Sequence, residues 1–402
     1  MMPDGRAGRA RICFLDNFPR MGGSEQSLME LLRHLDRRHF EPFFVASEEG
    51  EVSAEVRKLG IQVLFCPLPA KVSGLSRTAL GLGSLARMPG HLPAYLLRLA
   101  ATIRSVHPHL SYSNSLKDHV ASALLVPAVR RPVVWHFRDV IERKVVRDFV
   151  ELLALAGPVH LIANSHFTAG QFPRLSRRQG KTTVVYNGLD LDAIDRERRA
   201  DPFGDVPASS GMVVGIVGAL CPEKGQSLVI RSLSALAGRI PDISYWIVGE
   251  EMYSTARHEK GYRGVLEKLA ETLGVRDRVH FLGWRKDVLP LVERMDVLVC
   301  ASDPGLFVES FGRTIVEAMA CGKPVVSVAA GGPREIVADG VTGVLFKTYR
   351  VEALTDAILK LTDDPEHMRR MGQAGRQRVE ELFTSRKYVE GVENCLAKIL
   401  AG

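Results

Sequence analysis

The chain has 402 residues, 46% of them apolar and 25% charged, with a formal net charge of +7. These proportions exclude collagen-like, coiled-coil and disordered classes, and the length suggests two or three domains that can bury a core without staples. Six cysteines (Cys13, Cys66, Cys221, Cys300, Cys321 and Cys395) stand singly, with no C-x-x-C pair, which argues against a zinc ribbon, a thioredoxin motif or a disulfide framework and fits a reduced, cytosolic compartment.

Taken in chain order, Met1–Ala10 has arginines but no apolar h-region, so no signal peptide is expected. A buried strand is expected at Arg11–Leu15 and an amphipathic helix at Glu25–Leu35. Strands follow at Pro42–Ala46 and Val63–Cys66, then a helical pattern at Leu92–Arg104, then strands at Val133–His136, His160–Ala163 and Thr183–Tyr186. Apolar periodicity stops between Asn187 and Ser210, where Asp, Arg, Pro, Gly and Ser accumulate. Beyond it the spacing predicts strands at Met212–Val217, Ser244–Val248, Val279–Leu282, Val297–Cys300, Pro324–Val328 and Val344–Phe346, with helices at Leu228–Arg239, Tyr262–Leu273 and Val351–Leu361. A last amphipathic helix begins at Thr384-Ser385, a plausible cap, and runs to Leu400. No run of 18 apolar residues occurs, so no transmembrane helix is expected.

Strand–helix alternation repeated this often implies parallel sheets with helices on both faces. A single sheet of a dozen strands would be unusual, so two doubly wound domains are the natural division.

The charge is unevenly placed. Residues 1–200 hold 28 Lys and Arg against 19 Asp and Glu, a net +9, and the remainder carries −2. Between Val56 and Lys117 there is no acid, while Arg57, Lys58, Lys71, Arg77, Arg87, Arg98, Arg104 and Lys117 all fall there. This is either a solvated basic face or a surface facing anionic lipid or an anionic substrate. No zinc-finger spacing, RNP-like aromatic cluster or helix-turn-helix accompanies it, so nucleic acid is not an expected partner.

Two motifs are decoys. Gly81-Leu-Gly83-Ser-Leu-Ala86 matches the dinucleotide fingerprint G-x-G-x-x-A, but the polar stretch Lys71–Leu80 before it is not strand-like. Asp190-Leu-Asp192 could hold a divalent metal, but it lies in the apparent linker, so no metal is assigned. Neither a P-loop nor a G-x-S-x-G elbow occurs.

The most specific segment is Glu309-Ser-Phe311-Gly312-Arg313-Thr314-Ile-Val-Glu317-Ala, after the strand Val297–Cys300. Gly312 permits close backbone approach. A helix beginning near it would offer free N–H groups and a positive end to an anion. One glutamate could meet a sugar beside a diphosphate, and the other could accept hydrogen bonds from ribose hydroxyls.

Glu-x7-Glu with an internal Phe-Gly resembles the signature of retaining GT-B type glycosyltransferases, family 4. Further segments resemble that family in the expected order. Met21-Gly22-Gly23-Ser-Glu25 is similar to its N-terminal glycine loop, and Trp135-His136-Phe137-Arg138-Asp139 to its histidine loop. Ala163-Asn164-Ser165, Val185-Tyr-Asn-Gly-Leu-Asp190 and Gly218-Ala219-Leu-Cys-Pro-Glu-Lys224-Gly225 complete the series.

The resemblance implies a GT-B architecture of two Rossmann-like domains facing a central cleft. These are an acceptor-side domain over residues 1–188, a donor-side domain over 189–383, and a helix over 384–402 returning to the first. It implies a nucleoside diphosphate sugar as donor, no cofactor and no metal. The acceptor is unidentified, a lipid-linked one being among those it admits. The expected location is cytoplasmic, with peripheral contact at the inner face of the membrane as a further expectation.

The resemblance assigns Glu309, His136 and Lys224 to catalysis. It assigns Gly22, Gly23, Phe311, Gly312, Arg313, Thr314 and Glu317 to substrate binding, with Gly283 and Trp284 in a loop lining the base. Gly331-Gly332-Pro333-Arg334-Glu335 is another family-like loop. Where the family often has an arginine that pairs with the diphosphate, this chain has Ala219. That departure leaves Lys224 and the helix end to suffice, another base such as Arg313 to substitute, or the chain to be an inactive relative. Alternatives of another class are a non-catalytic GT-B partner protein and a GT-B sugar-nucleotide epimerase.

Overall fold

A computed structural model describes residues 8–69, 91–201, 206–207, 211–251 and 261–401. The Gly81–Ala86 decoy and Lys71, Arg77 and Arg87 lie outside these residues. The chain divides into two compact units, residues 1–188 with 385–402, and residues 189–384.

The first unit is built on a seven-stranded parallel sheet: β1 (Ala10–Leu15), β2 (Phe40–Ala46), β3 (Gln62–Phe65), β4 (Leu110–Ser113), β5 (Val133–Phe137), β6 (Val159–Ala163) and β7 (Thr182–Val184). Their spatial order is β3-β2-β1-β4-β5-β6-β7. The sense of winding reverses between β1 and β4, and ligands bind outside the carboxyl ends of strands at such a point. The helices α1 (Gly23–His34), α2 (Glu51–Lys58), α3 (His91–Ser105), α4 (Leu116–Leu124) and α5 (Lys144–Ala156) cover the sheet.

β4 is the strand the sequence pattern omits. Its segment Leu110-Ser-Tyr-Ser113 is half serine, yet all four residues are buried. The Ser113 hydroxyl donates to the Val134 carbonyl oxygen at 3.3 Å and bonds His119 Nδ1 at 2.7 Å. A serine-rich strand is therefore tolerated at the centre of the sheet, because its polar atoms are satisfied.

The second unit carries six parallel strands: β8 (Val213–Val217), β9 (Ser244–Val248), β10 (Val279–Gly283), β11 (Val297–Cys300), β12 (Val325–Val328) and β13 (Gly343–Phe346). They are ordered β10-β9-β8-β11-β12-β13. Val, Ile and Leu dominate these strands because both faces are covered. The helices are α6 (Leu191–Glu197), α7 (Gln226–Leu236), α8 (Tyr262–Thr272), α9 (Val288–Arg294), α10 (Arg313–Ala320), α11 (Val351–Thr362) and α12 (Pro365–Leu382). Helix α6 occupies the stretch read as aperiodic linker. The Asp190 carboxylate accepts from the Ala193 N–H at 3.0 Å as its N-cap, a structural role for the Asp-x-Asp decoy.

Helix α13 (Ser385–Ala401) returns to the first unit and packs on α1, burying Tyr388, Val389, Val392 and Leu396 in the β1–β2 core. Helix α3 turns Tyr95, Leu99, Ala100 and Ile103 into the core. The apolar face that the sequence could have laid on a lipid surface is thus packed on the sheet, leaving Leu97, Arg98 and Arg104 outside. Among the described residues no helix is long and apolar enough to cross a membrane.

Candidate functional site

In the second unit the signature residues gather at the carboxyl edge of the sheet. Lys224 ends a short 3-10 turn after β8, and Glu309 lies in the loop between β11 and α10. These two strands are neighbours, so a separation of 85 residues in sequence closes to an ion pair, Lys224 Nζ to Glu309 Oε1 at 2.5 Å. The Ser302 hydroxyl also donates to Glu309 Oε1, at 2.8 Å. Burial would lower the Lys224 ammonium, but the adjoining carboxylate outweighs it and holds the lysine pKa above its ordinary value. The ammonium also lies 4.6 Å from the Phe307 ring centroid.

Gly312 is the N-cap of α10, with φ of 106°, a left-handed conformation that an L side chain rarely adopts. The first-turn N–H groups of α10, including those of Arg313 and Thr314, are free of i−4 partners by construction. Phe311 itself is core: its ring packs edge-on against Phe383 at 5.9 Å, so only its backbone is available to a ligand. Arg313 Nε donates to Glu317 Oε1 at 2.8 Å across one turn. Among the described residues, Arg313 Nη1 is buried without a hydrogen-bond partner.

The Gly331-Gly332 loop has a definite structural task. The Gly332 N–H donates to the Glu309 carbonyl at 2.9 Å. A Cβ on Gly331 would stand 2.3 Å from that carbonyl oxygen. The pair therefore cradles the backbone of the signature loop.

Gly283 ends β10, and its carbonyl accepts from the Gly249 N–H at 2.8 Å. Trp284 beside it is 64% exposed.

The first unit holds a buried polar network at the carboxyl ends of β1, β4 and β5. His136 is fully buried on β5. Arg138 Nη2 donates to His136 Nδ1 at 3.0 Å, and the Tyr112 hydroxyl also contacts that nitrogen. A guanidinium can only donate, so Nδ1 accepts and the neutral ring carries its proton on Nε2. Burial, reinforced by the Arg138 charge, pushes the His136 pKa well below its ordinary value and keeps the ring neutral. Its Nε2 is buried and, among the described residues, without a hydrogen-bond partner.

Arg138 is anchored by the Tyr388 hydroxyl at 2.6 Å, by Asn187 at 3.4 Å and by Asn114. Asn114 in turn donates to Asp16 Oδ2 at 2.7 Å. Burial, then the neighbouring Glu25 and Asp118, raise the Asp16 carboxyl well above the carboxylate range. The Tyr388 hydroxyl also donates to the Ser27 carbonyl of α1 at 3.0 Å, which ties the helix begun by Gly22-Gly23 to Arg138.

Sequence reasoning singled out His136 and passed over Arg138, two residues away in the same motif. It also passed over Asp16 and Asn114, which follow strand ends, and quoted Glu25 only as part of the glycine loop. A charged residue just past a buried strand was the available signal.

These two units are Rossmann-like domains of the GT-B type. The family model Glycosyl transferases group 1 matches residues 198–378, and the model Glycosyltransferase Family 4 matches residues 21–193. The chain belongs to this family. Among its curated relatives is a GDP-mannose-dependent alpha-(1-6)-phosphatidylinositol monomannoside mannosyltransferase of Mycolicibacterium smegmatis, 38% identical over 46% of this chain and 47% of the relative. Another is a D-inositol 3-phosphate glycosyltransferase of Mycobacteroides abscessus, 33% identical over 50% of this chain and 44% of the relative. The matched stretch spans about half the length of each relative. Among solved structures, Anabaena Alr3699/HepE in complex with UDP superposes with a TM-score of 0.77 at 25% identity, covering 96% of this chain and all of that one. The same protein with UDP-glucose gives 0.76 at 26% identity, covering 96% of this chain and 99% of that one.

Proposed function

We propose that this chain is a retaining glycosyltransferase that moves a sugar from a nucleoside diphosphate sugar to a hydroxyl acceptor, in glycan, glycolipid or cell-envelope polysaccharide biosynthesis. The observation that carries the reading is the Lys224–Glu309 pair set at the carboxyl edge of the second sheet, in the loop that leads into α10.

Negative charge develops on the diphosphate as it leaves. Lys224 and the first-turn N–H groups of α10 are preorganised cations and dipoles for that charge. Glu309 accepts from hydroxyls of the donor sugar, and Glu317, oriented by Arg313, accepts from the ribose. His136 supplies a neutral Nε2–H to a substrate oxygen. Trp284 and Gly283 border the base. No step requires a metal or cofactor. The solved neighbours bound to UDP and UDP-glucose support a nucleotide-sugar donor.

Acceptor binding falls to the first unit. Peripheral contact with an anionic membrane surface through Leu97, Arg98 and Arg104 on α3 belongs to the same reading. So does a cytoplasmic location.

A thermal-shift screen of UDP, GDP and ADP with their sugars, followed by assay of donor consumption in EDTA, tests the proposal. A ligand at 100 times its Kd adds about 2.7 kcal/mol to stability. Donor consumption unaffected by EDTA is the expected result, and activity restored only by magnesium or manganese refutes the metal-free mechanism. Ala219 favours a second reading, a partner protein that binds the donor without turnover. Tight binding with no consumption of any donor would select it.

A further inference from the structure

A chain of hydrogen bonds with forced directions runs from a backbone carbonyl of α1 to the His136 ring. The Ser27 carbonyl can only accept, so the single proton of the Tyr388 hydroxyl goes there, at 3.0 Å. The Tyr388 oxygen is left to accept from Arg138 Nη2, at 2.6 Å. The second proton of Nη2 goes to His136 Nδ1, at 3.0 Å. Arg138 is held at its other nitrogens as well: Nε donates to Asn187 Oδ1 at 3.4 Å, and Nη1 donates to Asn114 Oδ1. His136, Arg138 and Tyr388 are all buried.

Tyr112 approaches the same ring nitrogen, its own ring edge-on to the imidazole with 5.7 Å between centroids. A phenol hydroxyl is permissive: it donates to a bare Nδ1 or accepts from a protonated one. A guanidinium has no such choice. With Tyr112 alone, both neutral tautomers of His136 would be satisfied. With Arg138 present, a proton on Nδ1 would face a donor, and an imidazolium would also face a buried cation. The titratable groups around the ring are Arg138 beyond β5, Tyr112 on β4, Tyr388 on α13 and His119 on α4, with Glu25 of α1 acting on Arg138. Burial keeps His119 neutral, so Arg138 is the fixed cation among them.

We propose that Arg138, braced by Tyr388 of the terminal helix, is a positioning residue that locks His136 in its neutral Nε2–H tautomer. In that state Nε2 already bears its proton, and the Nδ1 lone pair is taken up by Arg138. The ring can then donate a hydrogen bond to a substrate oxygen but cannot take up a proton as a general base. The use of that donor in turnover rests on the glycosyl-transfer reading; the tautomer does not.

The test uses the full chain with nitrogen-15 in its histidines, His136 being assigned from the signals lost in His136→Gln. The nitrogen NMR spectrum of the unliganded wild type should show one neutral ring, protonated on Nε2 and unchanged from pH 8.0 to 5.5. Arg138→Gln substitutes an amide that donates or accepts, so the Nδ1–H tautomer should rise to about a tenth of the population or more. Arg138→Lys restores a group that only donates and should return the single tautomer. In donor consumption, Arg138→Gln should lower kcat about tenfold and Tyr388→Phe about threefold, with the donor KM held within about twofold. Arg138→Lys should fall between Arg138→Gln and the wild type. A wild-type ring protonated on Nδ1, or titrating in that range, overturns the lock even where no variant folds. So does a folded Arg138→Gln protein that shows the Nε2–H tautomer alone. Wild-type kcat in Arg138→Gln overturns the positioning role. If the wild type consumes no donor, the transfer reading fails and the spectrum still decides the lock.

Discussion

In the free protein the lysine assigned to the diphosphate is already neutralised by the glutamate assigned to the sugar. Binding of a free nucleoside diphosphate must therefore draw Lys224 from Glu309 or share it. Glu309→Gln removes that competition. The two side chains are 28% and 17% exposed, so the pair is worth little more than a surface ion pair, about 0.5–1 kcal/mol. Glu309→Gln should thus tighten nucleoside diphosphate binding about two- to fivefold, while lowering sugar-nucleotide turnover by an order of magnitude or more.

Lys224→Ala acts in the opposite sense. It deletes a charge-assisted contact worth about 1.5–3 kcal/mol, weakening the nucleotide ten- to a hundredfold, and it should cut kcat/KM by about 10² or more. Titration calorimetry of UDP and GDP on the wild type, both single variants and the double variant measures the coupling directly. The double variant should resemble Lys224→Ala, because no cation remains to be released. A Glu309→Gln protein that loses as much nucleotide affinity as Lys224→Ala would refute the competition and reassign Glu309 to the nucleotide.

Other outcomes follow from neighbouring contacts. Glu317→Gln releases Arg313 and should weaken the free nucleoside diphosphate as much as the sugar nucleotide, by about tenfold, read by the same calorimetry. Gly331→Ala places a methyl 2.3 Å from the Glu309 carbonyl at a φ of 62° and should destabilise the second unit by about 1–3 kcal/mol in chemical melts, with a larger fractional loss of turnover. His119 and His136 are held neutral by burial, so below about pH 6.5 the unfolded chain binds protons that the folded chain refuses. Their contribution is unchanged above that pH and falls below it, by up to ~1.4 kcal/mol per pH unit for each histidine. The raised Asp16 tilts the opposite way, so the quantity to measure is the difference between wild type and His136→Gln in urea melts from pH 7.5 to 5.0. Sedimentation with anionic vesicles should fall steeply with salt and be lost in Arg98→Glu with Arg104→Glu; no sedimentation at low salt ends the peripheral-contact reading.

Much of this architecture is legible in the chain. The Val- and Ile-rich strands declare themselves because parallel sheets bury both faces, and Gly, Pro and Asn punctuate their ends. The Lys224 and Glu309 loops are legible as motifs, since each follows a recognisable strand. β4 is not legible, because half of Leu110-Ser-Tyr-Ser113 is serine, and Ser113 is accommodated in the sheet by hydrogen bonds with His119 and Val134. Helix α6 hides in a polar stretch for a similar reason: its N-cap and its Arg198–Glu293 and Asp195–Arg376 ion pairs, not an apolar stripe, hold it. The orientation of His136 is the deepest omission. It depends on Arg138, and Arg138 on Tyr388, 250 residues further on, a link that only the folded chain displays.

That link has a consequence for synthesis. Residues 189–384 form an uninterrupted unit, whereas the first unit is completed by residues 385–402. On the ribosome the second unit is whole before the first, although the first begins earlier. Until α13 emerges, Arg138 lacks its Tyr388 anchor, the Asp36 N–H lacks the Glu393 carboxylate that accepts from it at 2.7 Å, and the face of α1 is bare. The half made first must therefore wait, partly assembled, through about 200 further residues. At roughly 5–20 residues per second that is about 10–40 s, an interval in which an apolar seam stands open to chaperones.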